Sequence, residues 1–152
     1  MKKTEVQEVQ LNAPIKAVGK IFTGDYAKSQ EHILELINIL NDKNIPFIAN
    51  KIMGVYYDNP SEKQADELTS FQGIFLEGNQ NLPDGSFVEV KLSGKHIYAS
   101  VEGDPVKSIY EGYQALFNYI QKNNITLQSN AGYQVATFKN GTVTTEIYMK
   151  IV

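Results

Sequence analysis

Apolar residues recur at helical spacing in two stretches of the chain. The first stretch contains Ile33, Leu36, Ile37 and Leu40. The second contains Val106, Ile109, Tyr110, Tyr113, Leu116, Phe117 and Ile120. Residues three and four apart share one face of a helix, so each stretch predicts an amphipathic helix. Asp25 and Asp104 precede the two helices as suitable N-caps, and Pro105 fits a first helical turn.

Shorter segments with alternating or continuous apolar residues surround both helices and indicate β-strands. The predicted strands cover residues 6–11, 17–22, 52–57, 69–76, 87–92, 96–101, 133–138 and 144–151. Asn44 and Asn124 fit the ends of the helices. The tripeptide Lys139-Asn140-Gly141 has the composition of a tight turn between the last two strands.

The two halves of the chain also resemble each other in sequence. Residues 24–29 and 103–108 read GDYAKS and GDPVKS, and they agree at four of six positions. Identities continue beyond one inserted residue, at Glu31 and Glu111, Leu36 and Leu116, Asn44-Ile45 and Asn124-Ile125, and Val55 and Val135. Two copies at a period of about 80 residues indicate a duplicated module rather than a solenoid.

These patterns predict an α+β fold, in which residues 1–152 form a single domain made of two strand–helix–strand–strand repeats. The repeats span about 4–78 and 86–152, and a loop over residues 79–85 joins them. We expect an antiparallel sheet with pseudo-twofold symmetry and both helices on one side. Small ligands commonly bind where two rigid units meet. The pattern therefore favours binding of a small hydrophobic or aromatic molecule, for sensing or sequestration, in the groove between the repeats.

Charge and composition argue against several other classes of protein. The formal net charge of −3 disfavours direct nucleic-acid binding, and the short basic start Met1-Lys2-Lys3 is too small to change this. The chain has no cysteine, and no apolar run reaches the length of a membrane span. His32 and His96 lie far apart in sequence without evident partners, so we predict no metal site, no cofactor and no catalytic residue. The expected location is the cytoplasm, without direct membrane contact.

Ordered motifs along the chain resemble the gyrase-inhibitor-like (GyrI-like) effector-binding domain family. They are IMGVYYDNP at 52–60, Glu67-Leu68, Gly73, LPDG at 82–85, HIYA at 96–99, Gly103 and TEIYMKI at 145–151. The resemblance covers the chain from about Val6 onward. It implies a duplicated fold that binds small molecules, as in the ligand-sensing half of bacterial multidrug-responsive regulators. Because the sensor domain fills the chain, it also implies a stand-alone member or an excised domain.

The resemblance further implies five candidate ligand-binding residues, namely Tyr56, Tyr110, Gln134, Glu146 and Tyr148. Family members that bind cationic drugs tend to carry a Glu where this chain has Gln134. A carboxylate there would favour a cation or act as an acid or base, whereas an amide orients a ligand by hydrogen bonds alone. Side chains alternate along a strand, so the sequence leaves open which face each residue occupies. We expect Tyr56, Tyr110, Gln134 and Tyr148 to converge on one aromatic, largely uncharged groove.

Two other functions agree with the same resemblance. Some stand-alone members hydrolyse reactive, cyclopropane-bearing DNA alkylators, and others bind a protein such as gyrase and inhibit it. A buried carboxylate in the groove would favour the hydrolase, and an exposed acidic or apolar patch would favour the inhibitor.

Overall fold

The structure is a computed structural model, and it describes residues 4–78 and 82–152. Its elements are β1 (Val6–Thr23), α1 (Ser29–Asp42), β2 (Phe47–Tyr56), β3 (Thr69–Leu76), β4 (Val88–Glu102), α2 (Pro105–Lys122), β5 (Gly132–Lys139) and β6 (Thr142–Lys150). The predicted order of strand, helix, strand and strand therefore occurs twice. Of the loop predicted over residues 79–85, residues 79–81 lie outside the described residues.

The six strands form a closed antiparallel barrel in the order β1-β3-β2-β5-β6-β4. Closure depends on β1, which pairs with β4 through its first part and with β3 through its last part. The strands predicted over 6–11 and 17–22 are both parts of β1, and those predicted over 87–92 and 96–101 are parts of β4. Predicting separate strands was wrong because β1 continues through a register shift between Leu11 and Ile15. Such an irregularity bends a strand without ending it.

Alternate side chains of the strands fill two different environments. One set packs inside the barrel and comprises Ala17, Met53, Val55, Phe71, Phe75, Leu92, Val135 and Tyr148, among others. The opposite set faces the helices. Leu36 of α1 packs with Ile74, and Leu116 of α2 packs with Ile147. Both helices therefore lie on the outer surface of the barrel, as the prediction of helices on one side requires.

Helix α2 divides its apolar residues between two faces. Ile109, Leu116 and Ile120 pack against the barrel, whereas Val106 and Tyr110 are 84% and 64% exposed. The apolar face predicted for α2 is therefore wider than the part of the helix that packs on the sheet. The cap predicted at Asp104 is confirmed, because its carboxylate accepts a hydrogen bond from the backbone N–H of Val106 at the start of α2. Asp25 instead caps a short 3₁₀ turn (Tyr26–Lys28) that precedes α1, and α1 itself begins after Lys28 without a side-chain cap.

The predicted turns are also confirmed. Asn140 and Gly141 adopt φ values of 52° and 76° between β5 and β6, as a two-residue hairpin turn requires. Asn44 and Asn124 take positive φ values of 55° and 51° just after the helices. No helix in the described residues is long and apolar enough to cross a membrane.

Candidate functional site

Strands β2 and β5 pair along the part of the barrel wall that lies between the two helices. Helix α1 packs mainly on β3, and α2 packs mainly on β4 and β6, so the β2–β5 pair lies between the main contacts of the two helices. We call the outer surface of this pair, with the side chains bordering it, the seam groove. In its floor Gly54 lies opposite Gln134, and Tyr56 lies opposite Gly132. The groove is thus formed where the first half of the chain meets the second.

Tyrosine rings occupy the space that the two floor glycines leave free. A Cβ atom at Gly132 would collide with the hydroxyl of Tyr113 and lie 2.9 Å from its ring carbon Cζ. A Cβ atom at Gly54 would lie 2.8 Å from the hydroxyl oxygen of Tyr56. Tyr26 meets Tyr56 edge to face, with ring centroids 4.8 Å apart. The floor of the groove is therefore covered by aromatic rings, which lie close to the sheet backbone.

Gln134 and Tyr113 form the polar contact at the centre of the groove. The Nε2 atom of Gln134 donates a hydrogen bond of 2.9 Å to the hydroxyl oxygen of Tyr113. Burial raises the pKa of Tyr113 to about 12, although the hydrogen bond from Gln134 opposes this. Tyr113 is therefore an uncharged phenol at neutral pH. This part of the groove offers a ligand dipoles and ring faces but no formal charge.

The other side of the groove is fixed by Gln72 and Ser29. Gln72 is fully buried, and its Nε2 atom donates to the hydroxyl of Ser29 at 3.1 Å. Ser29 in turn donates to the backbone carbonyl of Tyr26 at 2.7 Å. The start of α1 is thereby tied to β3, and the Nε2 atom of Gln72 and the hydroxyl of Ser29 already have partners within the protein.

One end of the groove is closed by the loop that follows β2. The hydroxyl of Tyr26 accepts from the backbone N–H of Asp58 at 3.0 Å and donates to the carbonyl of Thr69 at 3.0 Å. The side chain of Asp58 forms an ion pair of 2.9 Å with Lys63. Hydrogen bonds from Lys63 and from the Thr69 backbone hold the pKa of Asp58 below its usual value. Asp58 and Lys63 thus neutralise each other beside the groove.

A second group of polar and aromatic residues lies on the opposite face of the sheet, and we call it the barrel cluster. It comprises His96, Tyr98, Tyr133, Glu146 and Tyr148. The Oε2 atom of Glu146 accepts hydrogen bonds of 3.0 Å from Tyr98 and 3.4 Å from Tyr148. Burial and the charge of Glu146 raise the pKa of Tyr148 far above its ordinary value, and they raise that of Tyr98 as well. The barrel cluster therefore combines a half-buried carboxylate with protonated tyrosines.

The five residues predicted to bind a ligand do not converge on one site. Tyr56 and Gln134 lie in the seam groove, whereas Glu146 and Tyr148 point into the barrel. Tyr110 is exposed on α2, where its hydroxyl accepts from Gln114 at 2.9 Å. The expectation of convergence was wrong because Tyr148 lies opposite Tyr133 rather than Gln134, and neighbouring strand residues face opposite sides. The ligand-binding roles of the five residues stay predictions.

Sequence reasoning missed four residues of the seam groove, namely Tyr26, Ser29, Gln72 and Tyr113. Tyr113 was counted among the apolar residues of α2, and Ser29 belongs to a repeated segment explained by helix capping. The glycines of the facing strands carried a usable signal. A glycine inside a strand often marks a close approach by another group, and Gly132 accommodates Tyr113 in this way.

Two open spaces of the structure lie elsewhere. A cavity of about 430 Å³ is lined by Leu40, Asn41, Asn44, Ile45, Pro46 and Phe47. Another of about 220 Å³ is lined by Glu102, Asp104, Lys107, Ser108 and Glu111. Neither contains any of the five predicted ligand-binding residues. Within the described part of the chain, no group of three or more histidine and acidic residues is arranged to hold a metal ion.

His96 makes the stability of the barrel depend on pH. It is almost fully buried, and its Nδ1 atom lies 3.1 Å from the carbonyl of Gly94. Burial and the charge of Lys150 lower the pKa of His96 below its ordinary value of 6.5, although the Gly94 contact opposes this. The rings of Tyr133 and Tyr148 meet the imidazole edge to face. The folded protein therefore binds a proton at this residue less readily than the unfolded chain does.

We predict that the free energy of unfolding falls as the pH is lowered through 6.5 toward the folded-state pKa of His96. The unfolded state takes up the proton first, so the slope from this residue is at most about 1.4 kcal/mol per pH unit. Urea unfolding of wild type and of His96→Gln between pH 7.5 and 5 measures the difference. Gln10→Leu, at an exposed residue of β1 that does not titrate, is the control and should keep the wild-type pH dependence. An unchanged profile in His96→Gln contradicts the assignment.

We also predict that Gly132→Ala displaces the ring of Tyr113 from the groove floor. The added methyl group meets the tip of a side chain rather than backbone, so the ring moves and the sheet persists. The pKa of Tyr113 should fall from about 12 toward the ordinary 10 as the ring becomes more solvated. NMR titration of ring-labelled tyrosine measures this shift. Gly85→Ala is the control, because a Cβ atom there meets nothing within 4 Å.

Comparison with known proteins places the chain in a family. The sequence model of the GyrI-like small molecule binding domain matches residues 4–152, and the chain therefore belongs to that family. This confirms the resemblance found in the sequence motifs. No curated protein matches the chain.

Several solved structures share the fold. An uncharacterized conserved protein from Listeria innocua has a TM-score of 0.69 at 8% identity, over 99% of this chain and 93% of that one. The C-terminal domain of EcmrR has a TM-score of 0.63 at 13% identity, over 99% and 97%. SAV2435 bound to tetraphenylphosphonium has a TM-score of 0.53 at 16% identity, over 99% and 94%. At these identities the similarity concerns the fold alone.

Proposed function

We propose that this protein binds a small lipophilic aromatic molecule in the seam groove and acts by sensing or sequestering it. The observation that carries the proposal is the uncharged, tyrosine-covered floor between the two helices. Tyr56 and Tyr113 lie over glycines there, and Gln134 donates a hydrogen bond to the hydroxyl of Tyr113. Pockets for small organic ligands typically combine aromatic walls with a few placed polar groups.

The energetics favour an aromatic ligand over a polar one. A ring that stacks on a tyrosine gains about 0.5–1.5 kcal/mol beyond the burial of its area. Burial itself contributes about 25 cal/mol for each Å² of apolar surface removed from water. A lipophilic cation would meet only tyrosine ring faces in place of its lost hydration, since the side chains of the floor are uncharged, so the groove should discriminate weakly between cationic and neutral aromatic ligands. A ligand enters by stacking on the tyrosine rings or by replacing one of them over its glycine.

The family and one structural neighbour support this class of ligand. The family is defined by small-molecule binding. SAV2435, which shares the fold, binds tetraphenylphosphonium, an organic ion with four phenyl rings. The proposal includes that this protein binds several different aromatic compounds.

We infer that the two halves, about 4–78 and 86–152, are a duplication whose pseudo-twofold axis passes through the seam groove. Equivalent backbone hydrogen bonds support this inference. Gly24 N–H donates to Leu68 at 2.8 Å, and Gly103 N–H donates to Val143 at 3.0 Å. After the helices, Ile45 N–H donates to Leu40 at 2.9 Å, and Ile125 N–H donates to Ile120 at 3.0 Å. A groove at such an axis is bordered by equivalent elements from both halves.

A hydrolase of reactive small molecules is the second candidate, and it depends on the barrel cluster. Glu146 is a half-buried carboxylate beside two tyrosine hydroxyls, which is a chemically suitable general base. A protein-binding inhibitor, for example of gyrase, is the third candidate and is supported by the exposed Val106 and Tyr110 of α2. The cytoplasmic location stays a prediction.

Binding of triphenylphosphine oxide, a neutral three-ring probe, tests the proposed function. We expect Tyr113→Ala to weaken this binding by about tenfold, because a ring contact and some buried area are lost. Glu146→Gln is the matched comparison in the barrel cluster, and it should change the affinity by less than about twofold. The reverse result, with loss of binding only in Glu146→Gln, would assign the ligand to the barrel and not to the seam groove.

A further inference from the structure

Gln134 and Tyr113 satisfy only part of each other's hydrogen-bonding capacity. The Gln134 amide uses its Nε2 atom on the hydroxyl oxygen of Tyr113. Within the described residues, no donor meets the Oε1 atom of Gln134 and no acceptor meets the hydroxyl hydrogen of Tyr113. Every buried polar side-chain atom there has a partner, so the free Oε1 atom is accessible to solvent. The pair therefore leaves one acceptor and one donor without a partner, side by side.

This result does not depend on the orientation of the amide. If the amide is rotated by 180°, Tyr113 donates to Oε1, and the free groups become the Nε2 hydrogens and a lone pair of the hydroxyl oxygen. Either orientation leaves one donor next to one acceptor at the centre of the groove. The tyrosine is a true donor at neutral pH because burial raises its pKa to about 12.

The surroundings of this pair restrict the ligand further. The rings of Tyr56 and Tyr113 lie over the sheet and offer extended flat faces. The ion pair nearest to Tyr26, between Asp58 and Lys63, is already closed within the loop. A ligand with a formal charge would thus find no counter-ion at the groove floor. A flat, neutral molecule with a polar edge matches both the rings and the donor–acceptor pair.

We propose that the seam groove selects planar aromatic molecules that carry a hydrogen-bond donor beside an acceptor on one edge, as in a lactam or an aryl carboxamide. This inference rests on the proposed function and specifies its ligand class. The lactam N–H donates to the free oxygen of the pair, and the lactam carbonyl accepts from the free hydrogen. An aromatic molecule that lacks this donor–acceptor edge would displace water from the free donor and the free acceptor of the pair and leave both without a hydrogen bond.

The experiment uses the full chain with 2-quinolone, a bicyclic lactam, and its N-methyl derivative. Wild type should bind 2-quinolone about tenfold more tightly, because the methyl group blocks one hydrogen bond and disturbs the other. Gln134→Leu should remove this preference, so that the two quinolones bind with affinities within about twofold of each other. Tyr113→Phe, which keeps the ring, should reduce the preference as well. Gln10→Leu, at an exposed glutamine of β1, is the control and should keep it.

Chemical-shift changes at Tyr56 and Tyr113 distinguish the possible failures. If both quinolones shift these residues and bind with equal affinity, the donor–acceptor inference is overturned and the proposed function stands. If neither quinolone nor triphenylphosphine oxide shifts any residue of the seam groove, both are overturned. A tenfold preference that disappears in Gln134→Leu supports the inference.

Discussion

Gly19→Ala should lower the free energy of unfolding by about 3 kcal/mol or more, the largest effect of a single methyl group that we expect in this chain. Gly19 of β1 lies opposite Gly73 of β3. A Cβ atom at Gly19 would collide with the backbone oxygen of Gln72 and lie 2.6 Å from the Cα atom of Gly73. Because both contacts are with backbone, no side-chain rotation relieves them, and strands β1 and β3 must separate.

Urea unfolding at neutral pH measures this change. Gly85→Ala is the matched control, since a Cβ atom there meets nothing within 4 Å. Its free energy of unfolding should lie within about 0.5 kcal/mol of the wild-type value. Equal stability of Gly19→Ala and wild type would show that β1 and β3 do not approach each other this closely. The pairing of β1 with β3, which closes the barrel here, would then be contradicted.

Gln134→Glu should shift ligand preference toward cations by about 1–2 kcal/mol, or about tenfold. Gln134 lies at the centre of the seam groove, and its amide gives no electrostatic preference between a cation and a neutral molecule. A carboxylate at the same position offsets the hydration that a lipophilic cation loses on entering. Glu146 does not already supply this charge, because its side chain contacts Tyr98 and Tyr148 inside the barrel.

Titration of tetraphenylphosphonium and triphenylphosphine oxide into wild type and Gln134→Glu measures the shift. Wild type should discriminate weakly between the two probes. Gln10→Glu adds the same charge on an exposed part of β1 and should leave the ratio of affinities unchanged. A wild type that binds the cation a hundredfold more tightly, or a Gln134→Glu variant with an unchanged ratio, would place the selectivity position elsewhere.

Much of the fold was predictable because local signals agree with it. Pro105 and Asp104 identify the start of α2, and Asn140-Gly141 identifies the last hairpin, since their backbone requirements are met within a few residues. The closed barrel was not predictable from such signals. It depends on β1 running through an irregular stretch between Leu11 and Ile15 and pairing with two strands, which is set by distant contacts.

The candidate site was predictable only in part, for a related reason. Tyr56 and Gln134 occupy the same face of the β2–β5 pair, and their ligand-binding roles stay predictions. Tyr148 was expected beside them, but the pairing of β5 with β6 turns it to the opposite face. Tyr113 reaches the groove from α2. It was not predicted there, because a tyrosine within the apolar face of a helix is usually a core residue. Which face a strand residue occupies depends on register, and register is a property of the assembled barrel.

The central claim is that an aromatic ligand binds on the outer face of the β2–β5 pair rather than inside the barrel. Intermolecular nuclear Overhauser effects between triphenylphosphine oxide and ring-labelled tyrosines test it most directly, because tyrosines line both faces. We predict contacts from the ligand to Tyr56 and Tyr113, and none to Tyr98 or Tyr148. Contacts to Tyr98 and Tyr148 without contacts to Tyr56 and Tyr113 would contradict the account and identify the barrel cluster as the binding site.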